Sequence, residues 1–236
     1  MTAPTPRVIA IIPARGGSRG LPGKNVASLA GMPLIGHAIR HARESGVIDR
    51  VVVSTDSEDI ATVARRCGAE APFLRPAELA QDMTPTEPVL QHALRWVEEE
   101  DHYPVDVVVF LQPTDVFRTP DMIGSCVRLL LEDPRLESVF VAYRTHKNFW
   151  RRVDGRLVKL AADIAYGPRQ TREHLYREET GLACASRAWL IRQGRRVGDV
   201  VEVVPTDDER VSIDIHDPYD LWIAEKVMTE WKGAHE

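Results

Sequence analysis

The sequence predicts an α/β fold: an open, mostly parallel sheet flanked by helices, with a small β-rich arm inserted in its second half. Three observations predict it. Apolar runs at residues 7–12, 51–53 and 105–111 are short, rich in β-branched residues and bounded by turn signals, as strands buried on both faces are. Stretches with apolar residues at helical spacing separate them, so strand, turn and helix alternate as in βαβ units. From Ser138 onward the pattern shifts to short strands and turns crowded with cations and aromatics.

In order, the first strand stops abruptly at a glycine-rich loop. Leu34–Glu44 sets Leu34, Ile35, Ala38, Ile39 and Ala42 on one helical face, with Gly46 as its stop. The strand at 51–53 ends in Ser54-Thr55-Asp56-Ser57. Ser57 caps a helix running to Cys67, because Glu58 and Asp59 fill its first turn. Residues 73–86 form a proline-containing, polar crossing segment, and a helix at 87–100 carries Val89, Leu90, Ala93, Leu94 and Val97 on one face. The run at 105–111 is the clearest central strand. It delivers Gln112-Pro113-Thr114-Asp115 to the sheet's carboxyl edge, where open α/β sheets bind ligands. A helix begins near Pro120.

Residues 138–142 form a strand, followed by Arg144, His146, Lys147, Phe149 and Trp150. Asp154-Gly155 is a hairpin turn signal, and Tyr166 to Arg172 with Tyr176 and Arg177 complete an arm spanning 140–182. The arm reads either as a solvated basic hairpin or, since aromatics interleave with the cations, as an interface. A strand returns at 182–186, and 199–206 alternates apolar and polar residues as an edge strand does. A last strand from Arg210 ends in acidic residues. The helix after it, 219–231, packs Leu221, Ile223, Ala224, Val227 and Met228.

The chemistry concentrates after the first strand. Arg15-Gly16-Gly17-Ser18-Arg19-Gly20-Leu21-Pro22-Gly23-Lys24 holds four glycines and three cations. Glycines let backbone N–H groups approach an anion closely, while Arg15, Arg19 and Lys24 add fixed positive charge. That suits a polyphosphate; the plain alternative is a flexible basic surface loop. A Walker loop is excluded, since Ser18 occupies its first glycine position and Asn25 follows Lys24. The dinucleotide fingerprint is excluded too, because no register supplies glycines at i, i+2 and i+5.

Pro13-Ala14-Arg15-Gly16-Gly17-Ser18-Arg19-Gly20, followed by Pro22-Gly23-Lys24-Asn25, resembles the signature loop of the CMP-sialic acid synthetases (acylneuraminate cytidylyltransferases). The resemblance implies a Rossmann-like sheet whose loop, through Ala14, Arg15, Gly16, Gly17, Ser18, Arg19, Lys24 and Asn25, wraps the triphosphate of CTP. A sugar hydroxyl then attacks the α-phosphate and pyrophosphate leaves. Arg75-Pro76-Ala77-Glu78-Leu79-Ala80, with Asp82, Thr84 and Thr86, is similar to the family segment whose arginine and hydroxyls reach the nucleotide, here Arg75 and Thr84. On chemistry alone it is equally a proline-stiffened connection. Leu111-Gln112-Pro113-Thr114 matches the family's sugar-contacting glutamine. In the arm, Lys147, Arg169, Gln170 and Tyr176 resemble residues that address the sugar carboxylate, and the family's arm packs on a second subunit. A homodimer is implied.

Near the carboxyl terminus the family reads Asp-x-Asp-x-x-x-x-Asp-Leu, its first two aspartates holding magnesium. Asp214 fits, but the second position is His216. Magnesium (or manganese) prefers oxygen ligands, so imidazole is a poor substitute. Asp217 or Asp115 replaces the missing carboxylate, or His216 acts through a water or on the substrate as a base. Structural alternatives stand beside these: Asp115 capping the helix at Pro120, Asp214 capping a turn, and His216 merely hydrogen-bonded at a strand end. Arg15, Lys24, Asp214 and His216 are the expected catalytic set, with metal on Asp214 and Asp217 or Asp115.

A chain of 236 residues, 44% hydrophobic, suits a single domain over 1–236. No run of about eighteen apolar residues exists, so no membrane span is expected. The first residues lack the apolar core of a secretory signal. Cys67, Cys126 and Cys184 form neither a disulfide framework nor a C-x-x-C pair, which fits a reducing cytoplasm. The net charge of −5 argues against general nucleic-acid binding. The expected partners are CTP and an acidic sugar, with sialic, legionaminic and pseudaminic acids undistinguished. The alternatives are a nucleotidylyltransferase for another acid, such as a 3-deoxy octulosonate or a phosphonate, and a non-catalytic nucleotide-sugar binding module.

Overall fold

The computed structural model describes residues 5–231, the side chain of Arg169 excepted. Its elements in chain order are β1 (Val8–Pro13), the small hairpin β2 (Ser28–Leu29) and β3 (Met32–Pro33), α1 (Leu34–Glu44), β4 (Arg50–Ser54) and α2 (Glu58–Arg66). Then come α3 (Thr86–Glu99), β5 (Val107–Phe110), α4 (Pro120–Glu132), β6 (Ser138–Thr145), the hairpin β7 (Trp150–Val153) and β8 (Arg156–Lys159), and β9 (Leu175–Glu178). β10 (Cys184–Arg187), α5 (Ala188–Arg192), β11 (Val201–Thr206) and α6 (Pro218–Glu230) complete it.

The central sheet runs β11-β6-β10-β5-β1-β4, with β9 paired to β6. β1 is parallel to β4 and β5, and β6 to β11; β10 and β9 run antiparallel to their neighbours. The expected mostly parallel sheet is therefore present, and 199–206 does form an edge. β1 is buried on both faces because its apolar side chains alternate between two cores. Val8, Ala10 and Ile12 pack with Ile35 and Ile39 of α1 and Ile123 of α4, while Ile9 and Ile11 pack with Leu90, Leu94 and Val97 of α3. Such burial contributes about 1.5–3 kcal/mol per large aliphatic side chain. It fixes the strand ends on which the loops sit.

Local signals explain most element boundaries. The Ser57 hydroxyl accepts from the Ile60 N–H at the start of α2. Thr119 does the same for Met122, with Pro120 opening α4, so the helix cap expected of Asp115 belongs to Thr119. Asp154 and Gly155 both take positive φ in the β7–β8 turn.

One expectation fails. Residues 210–214 are not a strand: Glu209–Ser212 is a 3-10 turn followed by irregular backbone. The Asp208 carboxylate accepts from the Arg210 N–H at 3.0 Å and pairs with its guanidinium, a local bond that competes with sheet pairing. In α6 only Ala224 is fully buried; Leu221, Val227 and Met228 are half-buried against Leu29, Leu34, Phe117 and Ile215. Within the 140–182 arm, β6 and β9 pair in the central sheet, with Arg144 opposite Tyr176. The segment that leaves the sheet is 146–174.

Candidate active site

The loops after β1 and β5, the 75–86 segment and His216 line one cleft of about 420 Å³, which brings together Arg15, Ser18, Arg19, Lys24, Asn25, Arg75, Thr84, Gln112 and His216 of the expected site; Asp115, Asp214 and Asp217 are not on its lining. The loop after β1 is anchored to the end of β4. Ala14, buried, donates its N–H to Ser54 O at 2.9 Å, and the Gly16 N–H donates to Asp56 Oδ1 at 2.9 Å. A side chain at Gly16 would press on Ser57, 3.2 Å away. Buried Asn25 closes the loop by donating through Nδ2 to the Arg15 carbonyl at 2.9 Å. Ala14 and Gly16 therefore anchor the loop, Gly17 has open space around it, and Arg15, Ser18, Arg19, Lys24 and Asn25 line the cleft itself.

The loop meets the 213–217 segment directly. Gly20 lies so close to the His216 carbonyl that a Cβ would sit 2.5 Å from its oxygen. Lys24 Nζ donates to Ile215 O at 2.9 Å. Burial lowers the Lys24 pKa, and the nearby Asp214 carboxylate opposes that shift. Arg15 Nη1 lies 2.5 Å from Asp82 Oδ1, and Arg19 pairs with the other oxygen of the same carboxylate. Buried Arg75 stands 3.6 Å from Asp56 Oδ1, and its Nε has no partner among the described residues. The Thr84 hydroxyl, also on the cleft, donates to Glu78 O at 3.3 Å.

Across the cleft, Gln112 Nε2 donates to Thr114 Oγ1 at 2.7 Å and approaches Asp214 Oδ1 at 3.5 Å. The other Asp214 oxygen is 2.9 Å from Nε2 of the exposed His216. Asp115 is buried; burial first, then the charge of Asp214, push its carboxyl up to about 7. Gly181 makes room for it, since a Cβ there would lie 2.0 Å from Asp115 Oδ2. Fully buried Arg118 holds this corner, donating to Leu182 O and Gly181 O at 2.7 Å each and to Gln112 O.

Asp217 has a different task from the metal ligation expected of it. Its carboxylate accepts from the N–H groups of Tyr219 and Asp220 at 2.8 and 3.1 Å as the N-cap of α6, while Asp220 reaches back in a capping box. Among the described residues no group of three or more acidic, histidine or cysteine side chains converges; Asp115 and Asp214 are a pair. Lys147, Gln170 and Tyr176 do not line the cleft either, and the Arg169 side chain lies outside the described residues. Lys147 lines a separate hollow of about 310 Å³ with Tyr143, Arg177 and Glu209. Tyr176 is exposed on β9 and Gln170 is exposed on a 3-10 turn. Asp56, Asp82, Arg118 and Gly181 were not anticipated as site residues. Only Asp56, at the end of a predicted strand, carried a positional signal.

A family model described as cytidylyltransferase matches residues 9–197. The chain is 34% identical to the CMP-N,N'-diacetyllegionaminic acid synthase of Legionella pneumophila over 227 residues, covering 94% of this chain and 96% of that protein. It is 38% identical to the N-acylneuraminate cytidylyltransferase A of Danio rerio over 147 residues, 62% of this chain but 33% of that longer relative. Among solved structures, a CMP:2-keto-3-deoxy-manno-octonic acid synthetase complexed with CTP superposes with a TM-score of 0.67 at 17% identity, covering 94% of this chain and 98% of that one. At that identity the likeness concerns the fold.

Proposed function

The chain belongs to the cytidylyltransferase family, and from that premise we propose that it transfers CMP from CTP to a hydroxyl of an acidic nonulosonate-type sugar, releasing pyrophosphate. The observation that carries this reading is the contact of Lys24 Nζ with Ile215 O, which joins the cationic loop to the acidic segment across one cleft. Nucleotidyl transfer asks little covalent chemistry of the protein; it asks for positioning and charge stabilisation. Arg15, Arg19 and Lys24 hold the triphosphate, aided by loop N–H groups. Arg75 and Thr84 address the rest of the nucleotide. Gln112 orients the sugar.

The Asp115–Asp214 pair fits magnesium or manganese. Burial first, and then the charge of Asp214, push the Asp115 carboxyl up to about 7; a cation beside both would relieve that cost, and both carboxylates offer the hard oxygens these ions prefer. A magnesium ion commonly keeps several waters and takes only one or two carboxylates plus substrate phosphates, so a pair suffices. The ion supplies neutralisation of the triphosphate and polarisation of the attacked phosphate. Asp115 takes the part that His216 cannot; His216 holds the second oxygen of Asp214 and so orients it.

Lys147, Arg169, Gln170 and Tyr176 complete the sugar site, in this reading, from the arm of a second copy. Phe149, Trp150, Leu157 and Tyr166 support it, being large apolar side chains left exposed on the segment that leaves the sheet. Three free thiols suit a reducing cytoplasm, and no described helix is long and apolar enough to cross a membrane. Pyrophosphate release screened over four NTPs and a panel of nonulosonic, octulosonic and phosphonic acids tests the proposal. It requires release with CTP and a nonulosonic acid; release with none, or only with another nucleotide, overturns it.

A further inference from the structure

A second cavity, of about 640 Å³, shares no lining residue with the cleft. It lies between the β2–β3 hairpin, α1 and the carboxyl end of α2. Its volume falls within the range of small-molecule sites. Three arginines line it, Arg40, Arg43 and Arg66, against the single carboxylate of Glu44, which stands 4.0 Å from Arg40. Neither Arg43 nor Arg66 has an ion pair or hydrogen bond among the described residues, whereas neighbouring Arg65 is tied to Glu58 and to Ala71 O.

Two glycines shape the surroundings, Gly68 beside the cavity and Gly36 on its lining. Gly68, at φ +91, leaves room for the Arg43 guanidinium, and a Cβ there would lie 2.2 Å from Nη1. Gly36 lets Met32 and Cys67 close the floor: a Cβ would lie 2.9 Å from Met32 Cγ and 3.2 Å from Cys67 Sγ. Like charges held around one hollow repel, and an anion shared between them removes that cost. Guanidinium forks match phosphate oxygens in particular. Met32 and Pro33 add an apolar surface beside them.

We propose that this cavity is a binding site for a small phosphate monoester, its phosphate held by Arg43 and Arg66 and its body resting on Met32 and Pro33. The site does not depend on the cytidylyl-transfer reading, and neither does its test. Cys67 is the half-exposed thiol on the cavity, while Cys126 and Cys184 are buried. The rate of Cys67 labelling by a disulfide reagent is measured on the intact protein with phenyl phosphate, phenol or inorganic phosphate at matched ionic strength. Cys67→Ser supplies the background. At a phenyl phosphate concentration about nine times its Kd, occupancy slows labelling about tenfold by mass action. Phenol leaves the rate unchanged, and inorganic phosphate protects more weakly. In the Arg43→Ala/Arg66→Ala variant, both exposed positions, the slowing disappears while the unfolding midpoint stays in place. Equal rates with and without phenyl phosphate, equal protection by phenol or by inorganic phosphate, or protection that survives the double substitution overturns the proposal.

Discussion

Lys24 Nζ donates to the carbonyl of Ile215 at 2.9 Å, across 191 positions of sequence. The bond fixes the charge-bearing end of the glycine loop beside Asp214, and burial with an opposing carboxylate tunes the ammonium. Lys24→Ala removes one half-buried hydrogen bond, so unfolding free energy falls by about 1 kcal/mol. Turnover falls by about 10²–10³, the scale on which a preorganised donor to developing charge is lost. Parallel urea unfolding and steady-state pyrophosphate release separate the two; unaltered turnover would rule Lys24 out of the chemistry.

The two oxygens of Asp82 pair with Arg15 and Arg19. In the proposed reading these guanidiniums hold the triphosphate, so incoming phosphates would have to displace Asp82. Partly exposed pairs of this kind contribute about 1 kcal/mol at most, so Asp82→Asn lowers the KM for CTP by up to about fivefold with kcat little changed. A KM that rises would instead make Asp82 a group that holds the 73–86 segment over the nucleotide.

Gly181 has no space for a side chain. Its Cβ would lie 2.0 Å from Asp115 Oδ2 and 3.2 Å from Gln112 Cβ, and Arg118 pins the backbone from the other side. Gly181→Ala displaces Asp115, costing about 1–3 kcal/mol of stability through overpacking and a larger share of activity. Full activity at raised metal concentration would show that the Asp115 carboxylate is not needed where it stands.

The first loop and the first half of the sheet were legible because short-range signals coincide there: β-branched runs, glycine clusters and hydroxyl caps. The acidic segment was legible as chemistry but not as structure. Its strand pattern loses to the Asp208–Arg210 turn, and Asp217, which looks like a ligand, is consumed by the α6 cap. For Asp115 the sequence leaves both metal ligand and helix cap open, and Thr119 takes the cap. Asp82 lies in the family-like segment, but nothing local tells that its carboxylate meets Arg15, or that Arg118 is buried beneath Gln112.

Two buried histidines of α1 set an acid limit on the fold. Burial, then Arg118, Arg40 and His37, hold His41 down to about 3, and burial also lowers His37. The unfolded chain binds these protons near the ordinary histidine value and the native state does not. Their contribution to stability is therefore complete above pH about 6.5 and is lost as pH falls below it, down to about 3 for His41, by at most about 1.4 kcal/mol per pH unit for each histidine. Asp115 runs the other way: its raised value favours the native state at low pH, and that contribution is lost as pH rises through about 7. Comparing His41→Gln with wild type in urea melts between pH 7.5 and 5 cancels the Asp115 contribution. The variant gives the shallower slope; identical slopes would place His41 in contact with solvent.

Calorimetric titration of CTP, with and without magnesium, tests the central claim that one nucleotide spans the cationic loop and the Asp115–Asp214 pair. In the wild-type protein magnesium tightens CTP binding. In the Asp115→Asn/Asp214→Asn variant that gain vanishes while metal-free CTP still binds, and in Lys24→Ala binding weakens with or without the ion. A magnesium effect undiminished in the double variant would contradict the account.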